Sequence, residues 1–207
     1  MRLAFASWIA LIALFALIKP LSHMGFLNVD VAFTLGMSFQ LYLPLWLIAR
    51  TQEPLTTYGI CWFGPRGLKQ DLFDVVGFVL LTFIPYGLLY YLFWQTPFSF
   101  HLPPNFTRIL LVNLFLVALP EEIFYRSFLQ TRLLKFFRPW RVFLLVNIAF
   151  ALGHFVGDYE WTRLLPFFPG LLFSVLAYRS GSILGAILYH FLCNIFSEML
   201  YASHLFF

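Results

Sequence analysis

Long apolar stretches separated by short polar turns run through the whole chain, and they restrict its fold more than any other feature. Of its 207 residues, 61% are hydrophobic and only 11% are charged, against about 25% charged in ordinary globular domains. Seven stretches resemble membrane spans, at residues 3–18, 31–49, 72–94, 108–131, 142–156, 164–178 and 183–201. The sequence therefore predicts an all-α, polytopic membrane helical bundle of seven transmembrane helices, or eight if residues 60–70 add an interfacial or re-entrant helix.

Two prolines, one after the first span and one within the third, predict where a helix ends or breaks. Lys19-Pro20 follows the first span and is expected to end it. Because no small-residue cleavage site precedes Lys19, we interpret this span as a retained helix rather than a signal peptide. The third span is expected to break near Pro85.

The distribution of lysine and arginine predicts the orientation of the chain. With the N-terminus inside, nine basic residues fall in inner segments and three in outer ones. The inner residues are Arg2, Arg50, Arg66, Lys69, Arg132, Lys135, Arg138, Arg141 and Arg179, and the outer ones are Lys19, Arg108 and Arg163. The N-terminus is therefore expected on the cytoplasmic side. The net charge of +4 comes without a long basic run, so the expected partner is a lipid bilayer and no nucleic acid.

Two adjacent glutamates and an arginine interrupt the fourth apolar stretch, in the segment from Pro120 to Arg126. A charged residue at bilayer depth costs about 2.5–3.5 kcal/mol on insertion scales, so it usually faces a bundle interior or a wet cavity. Glu122 and Arg126 are four residues apart, on one face of a helix, and are interpreted as an internal ion pair that supports the site. Glu121 is rotated by about 100° from Glu122 and is the freer carboxylate.

Three more polar residues lie within predicted spans, namely His154, His190 and Asn194. At 1.5 Å per residue, they and Glu121 lie at heights of about 12 to 20 Å from the inner helix ends, in one slab near the middle of the bilayer. Taken singly, each is equally compatible with a structural hydrogen bond. Together they fit amide hydrolysis, since a carboxylate and an imidazole can activate water while an imidazole and an amide stabilise an oxyanion.

These residues resemble the three motifs of the CAAX protease and bacteriocin-processing family of intramembrane proteases, which includes the Rce1-type prenyl-protein endopeptidases. The motifs EExxxR, FxxxH and HxxxN correspond to residues 121–126, 150–154 and 190–194, in that order. The resemblance implies that Glu121 and His154 activate the attacking water, that His190 and Asn194 form the oxyanion site, and that Glu122 and Arg126 support the first motif. It divides the chain into N-terminal membrane helices, 1–107, and a catalytic four-helix core, 108–207.

The resemblance implies an endopeptidase that cleaves near the C-terminus of a membrane-associated protein or peptide, in CAAX-type processing, leader trimming or removal of a C-terminal sorting signal. A bacterial inner membrane is the expected location, and the oligomeric state stays open. A metal-free, glutamate-dependent mechanism is preferred, with zinc bound by Glu121, His154 and His190 as the alternative. The alternative function is non-enzymatic, with the same polar cluster bracing an immunity factor, a scaffold or a small transporter.

Overall fold

The computed structural model describes residues 1–94, 102, 105–156 and 159–204, and this part of the chain is all helical, without a β-strand. Seven helices match the seven predicted spans, and turns occupy residues 59–67, where an eighth helix was an option. The helices are α1 (Arg2–His23), α2 (Val29–Thr51), α3 (Leu68–Trp94), α4 (residues 106–134), α5 (Pro139–Phe155), α6 (Phe167–Ser180) and α7 (Leu184–His204). The predicted all-α bundle is confirmed.

The prolines do not end or break the helices as predicted. α1 continues through Pro20 and α3 continues through Pro85. A proline removes one backbone donor from the turn that precedes it, and the next turn can stay helical, as the 2.9 Å hydrogen bond from the Met24 N–H to the Pro20 carbonyl shows. In α3, likewise, the helix extends for nine residues beyond Pro85, to Trp94.

Four segments are long and apolar enough to cross a bilayer, namely Arg2–His23, Val29–Thr51, Leu68–Leu89 and Trp161–Ser180. The apolar helices at Pro139–Phe155 and Leu184–Met199 are shorter. α3 exposes large apolar side chains along its length, among them Phe73 and Leu81, as expected where a helix faces lipid. The chain is an integral membrane protein.

The helix α4 alternates between α-helical and π-helical turns. π-helical turns cover Val112–Ala118 and Ile123–Gln130, and a short α-helical segment, Leu119–Glu122, lies between them. π-helical turns are rare and occur often at functional sites, because the extra residue re-aims the side chains around it. Both glutamates of the first motif lie in the α-helical segment between the two wider ones.

The helix α4 forms the centre of the bundle. It packs against α2, α5, α6 and α7, whereas α3 lies outside α6 and α7, and α1 covers α2 and α5. Every residue from 120 to 130 is buried. A charged side chain on this part of α4 therefore points into protein rather than lipid, which is where the insertion cost of a charge can be offset by partners.

Candidate active site

The ion pair predicted from the four-residue spacing is present at the centre of the bundle. Arg126 Nη1 donates to Glu122 Oε1 at 3.1 Å, and both side chains are completely buried. Removing either partner would leave an uncompensated charge in the interior. This part of the first motif is therefore held in a fixed geometry.

Arg126 also contacts α5 and α6, through residues that sequence reasoning missed. Its Nη2 donates to Asn147 Oδ1 at 2.9 Å and to the Gly170 carbonyl at 3.1 Å. Asn147 in turn donates from Nδ2 to Ser174 Oγ at 2.9 Å. The sequence does contain a sign of this contact, because Asn147, like Asn194, is an amide side chain within an apolar span. One guanidinium thus fixes three helices relative to one another.

His190 lies between the two glutamates. Its Nδ1 is 2.8 Å from Glu122 Oε1, and its Nε2 is 3.7 Å from Glu121 Oε2. Because an ionised carboxylate only accepts hydrogen bonds, the Nδ1–H is the donor to Glu122. The ring of Phe173 stacks on the imidazole, with 4.6 Å between the ring centroids. The orientation of His190 is therefore fixed by this contact on the face of the ring and by the contact with Glu122 at its edge.

The contacts of His190 add to what the sequence predicts for the motifs. Glu122 was predicted to pair with Arg126, and its Oε1 is also 2.8 Å from His190 Nδ1. Asn194 was expected to aim at the same point as His190, and this role stays a prediction. Helical spacing fixes which residues share a face, but not which neighbour each side chain selects.

The buried cluster brings two acidic side chains into contact with two basic ones. Glu121 and Glu122 face the guanidinium of Arg126 and the imidazole of His190. In a low-dielectric interior an unpaired charge is expensive. The close contacts between these acidic and basic groups therefore offset part of the cost of burying them.

His154 has a well-defined tautomer. Its Nδ1 lies 3.0 Å from the Phe150 carbonyl oxygen, an acceptor, so Nδ1 carries the proton and Nε2 presents a lone pair. The phenylalanine of the second motif also packs edge-on against both imidazoles, with centroid distances of 4.5 Å to His154 and 5.9 Å to His190. Phe150 therefore separates and orients the two histidines.

One cavity of about 310 Å³ reaches both Glu121 and His154. Tyr125 and Gly153 lie beside them in its wall. Within the described residues, no hydrogen bond or ion pair joins Glu121 directly to His154, and the buried Oε2 of Glu121 accepts no hydrogen bond. The site therefore combines a buried carboxylate oxygen that has no hydrogen-bond partner with a cavity that Glu121 shares with an imidazole.

The alternative of a three-ligand zinc site does not fit this arrangement. Within the described residues, no group of three or more His, Cys, Asp or Glu side chains is close enough to hold a metal ion. Of the three candidate ligands, Glu121 and His190 face each other at 3.7 Å, whereas His154 forms no hydrogen bond or ion pair with either of them within the described residues. We therefore derive no catalytic step through a metal.

Comparison with known proteins gives one family. Neither the curated proteins nor the solved structures gave a match to this chain. The family model described as type II CAAX prenyl endopeptidase Rce1-like matches residues 103–196, a segment that includes all three motifs. Over residues 103–196, the chain is therefore similar to the Rce1-like family.

Proposed function

We propose that this chain is an intramembrane endopeptidase that hydrolyses a peptide bond near the C-terminus of a membrane-associated protein or peptide. The observation that carries the proposal is the single cavity reaching Glu121 and His154, the two residues that the motifs pair for water activation. The family match supports the same reaction class. A purely structural network explains the contacts of Glu122, Arg126 and Asn147, but it does not explain why Glu121 lines a cavity and keeps one oxygen without a hydrogen-bond partner.

In the proposed reaction, a water in the cavity is held between Glu121 and His154 Nε2. One of these bases takes a proton as the water oxygen attacks the scissile carbonyl carbon. The negative charge that develops on the carbonyl oxygen is stabilised by the imidazole of His190 and by the amide of Asn194. The C–N bond then breaks, and the proton held by the base passes to the leaving amine, so that the elements of water are added across the peptide bond.

The location that we propose is a bacterial inner membrane, with the N-terminus on the cytoplasmic side.

The mechanism that we propose uses no metal. In this mechanism, the imidazole of His190 and the amide of Asn194 supply the electrostatic stabilisation that zinc would otherwise provide. Activity that survives a strong chelator such as 1,10-phenanthroline supports this choice. Activity lost on chelation and restored by zinc contradicts it.

The test uses the protein purified into phospholipid nanodiscs and a fluorescent decapeptide ending in farnesyl-Cys-Val-Ile-Met, with cleavage followed by mass spectrometry. Glu121→Gln and His154→Ala are each expected to lower the rate by about 100-fold to 10,000-fold, because each removes a general base. Glu160→Gln, at an exposed glutamate, is the matched control and should cleave normally.

Full turnover in the Glu121→Gln protein would contradict the assignment of the base. If the wild type leaves this peptide intact, the Glu121→Gln protein can be used to trap a different substrate from membranes. Failure of the wild type to cleave the trapped protein would contradict the proposed function.

A further inference from the structure

The cavity at the proposed site is built mostly from the first two helices. Eleven of its sixteen described lining residues precede residue 41, five of them in α1 and six in α2. The six from α2 recur every three or four positions, which places them on one face of the helix. They are Val29, Ala32, Phe33, Gly36, Met37 and Gln40. One face of α2 therefore forms a wall of the cavity over about 16 Å of its length.

Gln40 is the last of these six residues and the only one with a polar side chain. It is 1% exposed, and it lies near the middle of an apolar helix. The helix α2 packs against the Leu119–Glu122 segment of α4, which carries Glu121. Gln40 and Glu121 both line the cavity. The wall formed by α2 is therefore apolar up to an amide group that shares the cavity with the proposed base.

Two buried oxygen atoms at this cavity have no hydrogen-bond partner. Among the described lining residues, they are Glu121 Oε2 and Gln40 Oε1. A glutamine within a membrane helix usually hydrogen-bonds to a neighbouring helix, and a buried polar atom that stays unpaired is costly. The proposed reaction gives Glu121 a partner, the attacking water. The oxygen of Gln40 still needs a donor, and a ligand in the cavity can supply one.

We propose that Gln40 binds the backbone of the substrate, with its Oε1 accepting a hydrogen bond from a peptide N–H close to the bond that is cleaved. This inference rests on the proposed function. In a helical substrate the N–H groups are already bonded within the helix, so Gln40 can act only on an extended segment. Where such a segment leaves water, each free N–H is expensive, and the acceptor on α2 offsets that cost at one position.

Ester analogues of the substrate test this contact one N–H at a time. An ester replaces the N–H of a peptide bond by an oxygen atom and leaves the length of the backbone nearly unchanged. The probes are the farnesylated decapeptide and a set of analogues, each with an ester at one peptide bond other than the cleaved one. At one position close to the cleaved bond, the ester is expected to lower kcat/KM of the wild type about 3-fold to 10-fold, the range of a hydrogen bond between neutral groups.

Gln40→Met removes the acceptor and keeps the length of the side chain. It should lower kcat/KM for the all-amide peptide about 3-fold to 10-fold, and it should make the ester and the amide at the sensitive position equivalent. Gln70→Met, at an exposed glutamine near the start of α3, is the matched control and should keep the wild-type difference. An ester effect of the same size in the wild type and in Gln40→Met overturns the contact.

The stability of the free protein gives a test that does not depend on the peptide chosen. Because the oxygen of Gln40 has no partner in the free protein, Gln40→Met should leave the midpoint of SDS-induced unfolding unchanged or raise it. A midpoint that falls in Gln40→Met but not in Gln70→Met overturns the proposal, since it would assign Gln40 to bracing α2 against another helix.

Binding to the non-cleaving Glu121→Gln protein distinguishes failure of this contact from failure of the proposed function. Cleavage of the amide and of every ester analogue at equal rates by the wild type overturns the contact while the peptidase assignment stands. Weaker binding of one ester that disappears on adding Gln40→Met, without cleavage by the wild type, contradicts the peptidase assignment while the contact stands. Because a backbone N–H is common to all these peptides, absence of binding to every one of them also overturns the contact.

Discussion

Arg126 shows how a charge can be kept inside a membrane protein. Its guanidinium donates to a carboxylate, an amide oxygen and a backbone carbonyl on three helices, and it lies over the rings of Phe150 and Phe173 at 4.4 and 5.0 Å. The planar fork of arginine can reach these acceptors together, whereas a lysine ammonium cannot match their spacing. The stabilisation of Arg126 in the interior therefore depends on the shape of its guanidinium as much as on its charge.

Arg126→Lys is expected to lower the free energy of unfolding by about 2–3 kcal/mol, since the charge remains but at least one buried acceptor loses its donor. The measurement is SDS titration in mixed micelles, followed by tryptophan fluorescence. Arg141→Lys, at an exposed arginine on α5, is the control and should stay within about 0.5 kcal/mol of the wild type. Equal effects at the two positions would contradict a role for the fork.

The sequence was sufficient to predict the Glu122–Arg126 pair, because a four-residue spacing on a helix leaves few other arrangements. It was not sufficient to predict the hydrogen bond from His190 to Glu122. That bond joins residues 68 positions apart, and it depends on how α7 is rotated against α4. The catalytic roles of Glu121, His154, His190 and Asn194 stay predictions.

Helix packing positions the site through one close approach. At Gly170 in α6, an added Cβ atom would lie 2.2 Å from Asn147 Oδ1 and 3.0 Å from Arg126 Nη2. Only a residue without a side chain lets the backbone of α6 come this close to the ion-pair network. The glycine therefore sets the distance between α6 and the arginine that it helps to bind.

Gly170→Ala is expected to destabilise the protein by about 1–3 kcal/mol, the usual range for overpacking, and to lower peptidase activity by displacing Arg126. Gly77→Ala is the matched control, because a Cβ atom at Gly77 on α3 meets no atom within 4 Å, and removing a helical glycine should be neutral or stabilising by up to about 1 kcal/mol. Both free energies can be measured by SDS titration. A destabilisation that is no larger at Gly170 than at Gly77 would show that α6 can move away freely.

At the scale of elements, hydropathy identified all seven helices, but the local chemistry of proline misled the prediction of their ends. A proline costs a helix part of one turn, and in lipid there is no water to take over the backbone groups of a broken helix. The helices therefore continue past Pro20 and Pro85. The π-helical turns of α4 leave no sequence signature, since they arise from packing on four sides.

A second charged network joins distant parts of the chain at one end of the bundle. Glu53, just after α2, accepts hydrogen bonds from Lys135, at 2.7 Å, and from the Tyr58 hydroxyl, while Arg132 lies 3.7 Å away. The hydrogen bond from Lys135, followed by that from Tyr58, lowers the pKa of the Glu53 carboxyl below its ordinary value of 4.5. The network ties the end of α2 to the end of α4.

This lowered pKa has a definite consequence for stability against pH. The contribution of Glu53 is fully present above pH 4.5 and is lost as the pH falls through the folded-state pKa, because protonation removes the ion pair. Between pH 7 and pH 3, the Tm of the wild type should therefore fall further than that of Glu53→Gln. Glu160→Gln, at an exposed glutamate, is the control and should follow the wild type. Identical pH profiles for all three proteins would contradict the prediction.

For the whole molecule, composition and hydropathy were enough to predict an all-α membrane bundle, and the three motifs were enough to predict the similarity of residues 103–196 to the Rce1-like family. The division into residues 1–107 and 108–207, the cytoplasmic N-terminus and the bacterial membrane stay predictions. The contribution of the first two helices to the cavity could not be predicted, because apolar residues that line a passage look the same in sequence as those that face lipid.

The composition of the cavity wall has a consequence for how such a protein could diversify. Eleven of its lining residues precede residue 41, whereas the segment shared with the Rce1-like family begins at residue 103. If the proposed function holds, substrate selection and cleavage of the peptide bond would rest on separate stretches of one polypeptide. Exchanging the first two helices between related proteins could therefore redirect the enzyme to new cargo without touching the hydrolytic chemistry.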